Sequence, residues 1–476
     1  MASTVPSVPT KLVDVEVATT TRRGVPAVVL AATGPELGPG GDGIDVSALT
    51  GKTGETVRHD RAWTLGVGAG TPADHRAAGA ALVRALTGDD APKSVDVLLT
   101  PDFDAEKVRA FVLGAALGGY RFKVTGEDAR KRVGSLRLVT GDTGFEEVLT
   151  SAALKAHALA TATSLTRDLA NTPSNVKDPR WLTTTAAKIA EKVDGLSAVV
   201  RDEKWLRQQG FGGVLAVGGG SARPPRFLEL TYGTTGPHLV FVGKGITFDT
   251  GGISVKPADG MHLMRTDMAG GGAVIAALIA VARRKLPIRV TGLVPCAENH
   301  VSGSSYRPGD VVRHYGGATT EVTNTDAEGR MVLADALAYA VKNLKPDLLV
   351  DVATLTGAMK VSLGLRTGGV FTPSDAIAAQ VVGAGARVAE QWWRMPLLEE
   401  HAEAVHSEIA DYRQCPPGPG GITAALFLQK FAGDVPWAHL DIAGPARSEK
   451  VYDEVVPGAT GFGARTLVEL AEHYSS

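Results

Sequence analysis

Leu239-Val240-Phe241-Val242-Gly243 is a short apolar run that ends in glycine, and Lys244 and Asp249 follow it within six residues. A run of this length and composition predicts a strand that is buried on both faces. Further apolar runs at residues 290–295, 347–352 and 438–442 alternate with helical patterns at residues 270–284, 331–343 and 375–394. The alternation predicts an α/β/α fold with a mixed, mostly parallel central sheet between helix layers. Lys244 and Asp249 would then lie at the carboxyl end of a strand, where such folds bind ligands.

The remainder of the chain shows segments of different pattern, and its 476 residues are enough for two or three domains. Residues 1–25 are expected to form a flexible arm. Residues 26–150 alternate strand and helix patterns and predict a smaller N-terminal α/β domain, with a strand at residues 95–99 and helices at residues 75–86 and 106–117. The alanine-rich residues 151–171 predict a connecting helix that ends before Pro173. Residues 172–476 are expected to form the larger α/β/α domain.

The bulk composition excludes several classes of protein. A net charge of −2 gives no basic field that would recruit nucleic acid. Two cysteines, Cys296 and Cys415, are too few for a disulfide framework and favour a reducing compartment. Residues 1–6 lead into no apolar signal segment, and we expect no membrane-spanning helix. These features predict a cytoplasmic protein.

A second informative run, Asn324-Thr325-Asp326-Ala327-Glu328-Gly329-Arg330, places charged residues at every second position. In an extended chain Asp326, Glu328 and Arg330 would face one small volume. Two crowded carboxylates repel each other, so we expect a cation between them, most simply one or two divalent metal ions. The apolar helix pattern of residues 331–337 would hold this turn rigidly. A surface loop of alternating charges is the alternative interpretation.

Upstream charges argue against the surface loop. Lys244, Asp249, Lys256 and Asp267 lie in apolar or glycine-rich sequence, where charges are costly unless they are paired or bound to metal. A buried network of salt bridges would account for these charges. It would not account for the adjacent glycines, which permit the close approach of a ligand.

The triplets Asp249-Thr250-Gly251 and Asp142-Thr143-Gly144 also match the motif of aspartic proteases. Those enzymes need two such carboxylates that share a proton. Asp142 follows a predicted turn rather than an apolar strand. The predicted alternation of strands and helices also does not suit aspartic proteases, which consist largely of β-structure. We therefore reject this alternative.

The chain resembles the leucyl aminopeptidases, also called cytosol aminopeptidases. The family signature N-T-D-A-E-G-R-[LM] is present in full at residues 324–331, and it is far more specific than a single short motif because further blocks match in order. These blocks are residues 243–249, 256–257, 267–268, 306–310 and 351–357. The resemblance runs from about Asn171 to Gly463, whereas the first 150 residues carry no comparable signature.

The resemblance implies a catalytic domain at residues 172–476 with two divalent metal ions per subunit. It assigns Lys244, Asp249, Asp267 and Glu328 to one ion, and Asp249, Asp326 and Glu328 to the other. Four carboxylates and one amine suit Mn²⁺ or Zn²⁺, and also Mg²⁺ or Co²⁺. Lys244 would bind as a neutral amine, because burial beside two cations lowers the pKa of a lysine.

The implied activity is hydrolysis of the N-terminal peptide bond by a water molecule that the two ions activate. Lys256 and Arg330 match the two catalytic positions of the family. Lys256 would stabilise the oxyanion of the tetrahedral intermediate, and Arg330 would hold a bicarbonate ion that carries the proton. The free amine of the substrate would bind the ions and Asp267.

The resemblance also implies a substrate pocket, an assembly and an alternative role. The pocket residues would be Met264, Thr354, Leu355, Gly357 and Ala443, whose small or apolar character suits leucine and other apolar side chains. The family forms homohexamers. Some bacterial relatives have an additional DNA-binding or scaffold role, for which the only candidate here is a modest basic cluster at residues 130–132, preceded by two acidic residues at 127–128.

Overall fold

The computed structural model describes residues 8–60, 62–124 and 130–475. It divides into two compact units, of which the first runs to Ser164 and includes Ser448–Pro457. The second unit comprises Leu165–Arg447 and the chain from Gly458 onward. The division falls within the long helix Glu146–Asn171, so the domain limits given above stay predictions.

The first unit is an α/β structure. Its strands are β1 (Asp14–Ala18), β2 (Ala27–Ala32), β3 (Glu36–Leu37), β4 (Thr56–Arg58), β5 (Ala62–Gly68), β6 (Ser94–Leu98) and β7 (Ser135–Val139). Its helices are α1 (Pro72–Ala85), α2 (Ala105–Gly118) and the start of α3 (Glu146–Asn171). In the part of the chain that the structure describes, the sheet order is β1-β7-β6-β2-β5-β4, with β3 beside β2.

The predicted flexible arm is wrong for part of residues 1–25. Residues 14–18 form β1, which pairs in parallel with β7. Val13, Val15 and Val17 pack against the hydrophobic core of the unit, and this burial stabilises the strand. Residues 1–7 lie outside the described residues.

The second unit contains the larger sheet. The remaining strands of the described chain are β8 (Leu196–Arg201), β9 (Arg226–Tyr232), β10 (His238–Gly243), β11 (Gly245–Asp249), β12 (Arg289–Asn299), β13 (Val311–Arg313), β14 (Thr319–Glu321), β15 (Leu348–Ala353), β16 (Thr367–Phe371), β17 (Gln391–Arg394), β18 (Tyr412–Arg413), β19 (Trp437–Asp441), β20 (Arg447–Ser448) and β21 (Gly458–Ala459). Among the described residues the main sheet has the order β17-β16-β19-β15-β10-β12-β9-β8, with β11 beside β12.

Helices surround this sheet. They are α4 (Pro179–Ala190), α5 (Glu203–Gln209), α6 (Gly212–Gly218), α7 (Ala269–Arg283), α8 (Glu328–Asn343), α9 (Gly357–Leu363), α10 (Asp375–Arg387), α11 (Gly420–Ala432) and α12 (Ala464–Tyr474), and Met261–Thr266, Glu399–His401 and Glu403–Val405 are short 3₁₀ helices. The central strands β12, β10, β15 and β19 pair in parallel, whereas β9 is antiparallel to both β12 and β8, and β16 is antiparallel to β19 but parallel to β17. The predicted mixed, mostly parallel sheet is therefore confirmed.

One predicted helix is wrong in its length. Residues 375–394 were expected to be helical, but α10 ends at Arg387 and residues 391–394 form β17, which pairs with β16. The side chain of Trp392 is buried, and its indole Nε1 donates a hydrogen bond to the hydroxyl of Thr466 at 2.9 Å. This tertiary contact overrides the local helical pattern.

The stretch Met261–Arg283, which includes α7, is long and apolar enough to cross a membrane by composition alone. Its most apolar window is 89% buried inside the protein. The apolar character of α7 is thus that of a core helix, packed against the central sheet.

Candidate metal centre

The predicted site residues gather at the carboxyl ends of the central strands. Lys244 directly follows β10, Asp249 ends β11, and Thr354 directly follows β15. Ala443 comes two residues after the end of β19. Because β10, β12, β15 and β19 are parallel, their carboxyl ends lie at the same edge of the sheet.

The backbone of the run 324–330 differs from the extended chain that was expected. Residues up to Ala327 form a turn, in which the Asp326 amide donates a hydrogen bond to Asn324 Oδ1 at 2.9 Å, and Glu328 is the first residue of α8. Arg330 therefore does not share a face with its neighbours through strand alternation. Its guanidinium Nη1 donates to the carbonyl of Gln414 at 2.8 Å.

Two carboxylates of this run nevertheless meet the upstream cluster. One carboxylate oxygen from each of Asp249, Asp326 and Glu328 lies within 4.8 Å of the others. Asp249 and Glu328 are buried, whereas Asp326 is half-buried. A turn followed by the first residue of a helix thus brings Asp326 and Glu328 together. Their spacing in the sequence had suggested an extended chain instead.

Lys244 is the central cation of the buried side of the cluster. Its Nζ lies 2.8 Å from Asp267 Oδ2 and 2.7 Å from Glu328 Oε1, and it donates a hydrogen bond to the carbonyl of Thr354 at 3.0 Å. The side chain is only 3% exposed. Its aliphatic part passes so close to Gly329 that a Cβ there would lie 2.6 Å from Lys244 Cε. A side chain at position 329 would therefore have to displace the end of Lys244 from its ion pairs.

Lys256 lies on the solvent side of the same cluster. Its Nζ is 2.8 Å from Asp249 Oδ2 and also forms an ion pair with Asp326 Oδ1. Gly251, with a φ of +87°, turns the chain between Asp249 and Lys256 so that both side chains reach this position. The Lys256 side chain is 20% exposed, so it is more accessible to solvent than the side chain of Lys244.

The charges of this cluster are not balanced, since four carboxylates face two ammonium groups. Burial raises the pKa of Glu328 to about 8, and the negative charge of Asp249 acts in the same direction. Burial and Asp249 likewise raise the pKa of Asp326 to about 6. Burial alone would lower the pKa of Lys244, but the negative charges of Asp267 and Glu328 outweigh this effect and raise the pKa. The two ammonium groups thus do not neutralise the four carboxylates.

The cluster suits divalent metal ions by its carboxylate oxygens. Asp267 Oδ2, Asp326 Oδ1 and Glu328 Oε1 are buried, and lysine ammonium groups are the only partners that the described residues give them. Carboxylate oxygens are the ligands that hard and borderline cations prefer. A metal ion would supply the missing charge and coordinate these oxygens.

Asn299, at the end of β12, belongs to this centre and was not identified from the sequence. Its side-chain nitrogen donates hydrogen bonds to Asp249 Oδ1 at 2.8 Å and to the carbonyl of Thr325 at 3.0 Å. Asn299 therefore joins the end of β11 to the turn that carries Asp326, and it orients Asp249. Its position four residues after the strand predicted at residues 290–295 is the signal that could have identified it.

The predicted pocket residues are held by Asp267, which belongs to the cluster, and by one further carboxylate, Asp441. The hydroxyl of Thr354 donates to Asp267 Oδ1 at 2.7 Å, and the Asp267 amide donates to the Met264 carbonyl at 3.1 Å. Asp441 Oδ1 accepts from the amides of Leu355 and Ala443 at 3.2 and 3.0 Å. These bonds place the backbones of Met264, Thr354, Leu355 and Ala443 around one side of the cluster, with Gly357 at the start of α9.

Arg330 is 5% exposed, and only part of its guanidinium is satisfied. Nη1 donates to Gln414, whereas the buried Nε has no hydrogen-bond acceptor in the described residues. Burial lowers the pKa of Arg330, although Glu328 and Asp441 oppose this effect. An orphaned guanidinium N–H is a suitable donor for a small planar anion.

Comparisons with known proteins agree over most of the chain. A sequence pattern described as "Cytosol aminopeptidase family, catalytic domain" matches residues 164–468. A probable cytosol aminopeptidase of Syntrophotalea carbinolica is 39% identical over 461 residues, which are 91% of this chain and 91% of that protein. A probable cytosol aminopeptidase of Streptomyces avermitilis is 46% identical over 407 residues, which are 83% of this chain and 78% of that protein.

A solved structure is similar throughout. The bottromycin maturation enzyme BotP, in a structure in complex with Mn, superposes with a TM-score of 0.84 at 39% identity, over 97% of this chain and 100% of that chain. These relatives do not support the alternative DNA-binding or scaffold role. Of its basic cluster, Arg132 donates to the carbonyl of Gly119 at 3.3 Å, while the acidic residues at 127–128 lie outside the described residues. The chain belongs to the cytosol aminopeptidase family and is a metal-dependent peptide hydrolase of the leucyl aminopeptidase type.

Proposed function

We propose that the protein removes N-terminal residues from peptides at a centre of two divalent metal ions, with a preference for leucine and other apolar residues. The observation that carries this proposal is the convergence of Asp249, Asp326 and Glu328 within 4.8 Å, with the pair Lys244 and Asp267 directly beside Glu328. Four carboxylates together supply enough oxygen ligands for two ions.

The ligands proposed for one ion are Lys244, Asp249, Asp267 and Glu328, and those for the other are Asp249, Asp326 and Glu328. Asp249 and Glu328 would be shared by both ions. Lys244 forms ion pairs with Asp267 and Glu328, so it must give up a proton when it becomes a ligand. The Mn in the structure of the similar enzyme BotP supports Mn²⁺ as the ion, with Zn²⁺, Mg²⁺ and Co²⁺ as the other candidates.

When bound, the two ions would polarise the scissile carbonyl and lower the pKa of a water molecule toward ~7. Lys256 is the residue of this chain proposed to stabilise the negative charge that develops on the carbonyl oxygen. Its ammonium lies beside Asp249 and Asp326 on the exposed side of the cluster. A charge held in position before the reaction stabilises the transition state more than the ground state.

Replacement of Lys256 by alanine is expected to lower kcat by ~10²–10³-fold, the usual cost of removing one such donor. Metal content is expected to stay at the wild-type level, because Lys256 competes with cations for Asp249 and Asp326. The measurement is kcat for leucine amide beside metal content per chain. The control is Lys430→Met, a half-buried helical lysine outside the cluster. A wild-type kcat in Lys256→Ala would exclude the assigned role.

Arg330 is proposed to hold a bicarbonate ion that carries a proton between water and the leaving amine. The support for this role is its buried Nε, which has no acceptor among the described residues. A guanidinium stays protonated and cannot act as a base itself. A planar anion held by its N–H groups would provide the acceptor that the arginine lacks.

The requirement for a free N-terminal amine follows from the acidic character of the same site. Asp267 and the ions would bind the α-amine, and an internal peptide nitrogen is neither basic nor able to enter in this way. Met264, Thr354, Leu355, Gly357 and Ala443 would surround the first side chain. A cytoplasmic location and a homohexamer are proposed from the family resemblance and from the cytosol aminopeptidase names of the relatives.

The experiment that tests the proposed function compares leucine amide with N-acetyl-leucine amide. Acetylation is expected to lower kcat/KM by about a hundredfold, because a charged partner left unpaired in a buried site costs up to about 3 kcal/mol. The comparison is made with the metal-loaded enzyme and with leucyl-glycine as a second free-amine substrate. Equal rates on the blocked and free compounds would indicate an amidase or endopeptidase instead.

A further inference from the structure

Lys360 is a charged residue near the candidate site that has no role in the proposed mechanism. It lies on α9, one helical turn after Gly357. Residues three positions apart share a helix face, so Lys360 continues the face that Gly357 presents. A Cβ built on Gly357 meets no atom within 4 Å, which shows open space on this face.

The start of α9 is held firmly in place. Asp441 Oδ2 accepts hydrogen bonds from the amide and the hydroxyl of Thr356 at 3.0 and 2.7 Å. The other oxygen of Asp441 binds the amides of Leu355 and Ala443. Lys360 therefore extends from a turn that is fixed to the carboxyl end of β19, next to the proposed pocket.

The charges that act on Lys360 are Arg447 and Lys256, of the same sign, and Asp267 and Asp441, of the opposite sign. Burial has the largest effect, and together with the two cations it lowers the pKa of Lys360. A half-buried ammonium among like charges is stabilised when an anion binds beside it.

Neither of the two nearby carboxylates is available as that anion. Asp267 is engaged by Lys244 at 2.8 Å and by the Thr354 hydroxyl at 2.7 Å. Asp441 accepts four hydrogen bonds, from Leu355, Thr356 and Ala443. Within the described residues, Lys360 forms no ion pair at 4.0 Å or less with any carboxylate, in contrast to Lys244 and Lys256.

We infer that Lys360, flanked by Arg447, forms a cationic subsite that binds a carboxylate of the peptide substrate. The inference rests on the proposed aminopeptidase function and adds charge selection to it. The carboxylate comes either from an acidic side chain on the N-terminal residue or from the C-terminus of a short peptide. Both present the same chemistry to a lysine ammonium.

The test uses two pairs of substrates that differ only in a carboxylate. Glutamate α-amide against glutamine α-amide examines the side chain, and leucyl-glycine against leucyl-glycine amide examines the C-terminus. The metal-loaded wild type is expected to favour the charged member of at least one pair by about tenfold in kcat/KM, the size of a charge-assisted hydrogen bond. Lys360→Met is expected to remove this preference, and Lys360→Glu to reverse it. Lys430→Met serves as the matched control and should keep it.

The pair that responds identifies the source of the carboxylate. No preference in the wild type, or a preference that persists in Lys360→Met, overturns the inference. Hydrolysis of the uncharged substrates separates this result from a failure of the proposed function, because Lys360 is not needed for it. Calorimetric binding of glutamate and glutamine to the wild type and to Lys360→Met gives the same comparison without turnover.

Discussion

Removal of divalent metal is expected to abolish the hydrolysis of leucine amide, and addition of Mn²⁺ is expected to restore it. The ions are proposed to activate the attacking water, and Lys244 and Lys256 cannot act as bases in their place because the surrounding carboxylates hold them as ammonium groups. Burial opposes their charge, yet those carboxylates raise the pKa of both lysines. The measurement is kcat of the stripped protein with no metal and with each of Mn²⁺, Zn²⁺, Co²⁺ and Mg²⁺.

The fold is expected to survive this treatment, since the two lysines neutralise part of the carboxylate charge when metal is absent. Circular dichroism of the stripped protein therefore provides the control, together with a metal analysis of the same sample. Full activity in a sample verified to contain no metal would contradict the proposed mechanism.

Replacement of Glu328 by alanine is expected to remove metal and activity together. Glu328 is the first residue of α8 and 1% exposed, and its carboxylate is proposed to contact both ions. The fall in kcat is expected to exceed the ~10²–10³-fold that the loss of one transition-state donor costs, because both ions lose a ligand. Metal content per chain and kcat are measured on the same preparation.

Two further variants show whether the loss of metal and activity in Glu328→Ala comes from the missing charge or from a change in structure. Glu328→Gln keeps the volume of the side chain but not its charge, so it is expected to lose metal as Glu328→Ala does. Glu403→Ala removes an exposed carboxylate from a 3₁₀ helix and should change neither quantity. Retention of two metal ions per chain in Glu328→Ala would show that the bridging assignment is wrong.

The strands and helices around the candidate centre were predictable because their signals are local. The apolar run 239–243 appears as β10 (His238–Gly243), and the run 347–352 appears as β15 (Leu348–Ala353). Buried parallel strands carry continuous apolar sequence, so composition alone identifies them. The local helical pattern was misleading at residues 391–394, where the burial of Trp392 between β16 and α12 selects a strand.

The identity of the charged cluster was likewise predictable, but its geometry was not. Spacing and resemblance pointed to Asp249, Asp326 and Glu328, whose carboxylates do meet. The expected extended backbone is absent, since Glu328 begins a helix and Arg330 reaches Gln414 instead. Alternation in a sequence constrains side chains only where the backbone is extended.

The sequence by itself therefore determined the α/β class, the family and the charged residues that converge at the strand ends. Only the tertiary structure showed which groups hold them there, namely Asn299 on Asp249 and Asp441 on the two pocket loops. It also showed that Lys360 forms no ion pair with a carboxylate among the described residues. The physical reason is that hydrogen bonds and ion pairs between residues tens of positions apart depend on how the strands are brought together, and no local pattern in the chain records this.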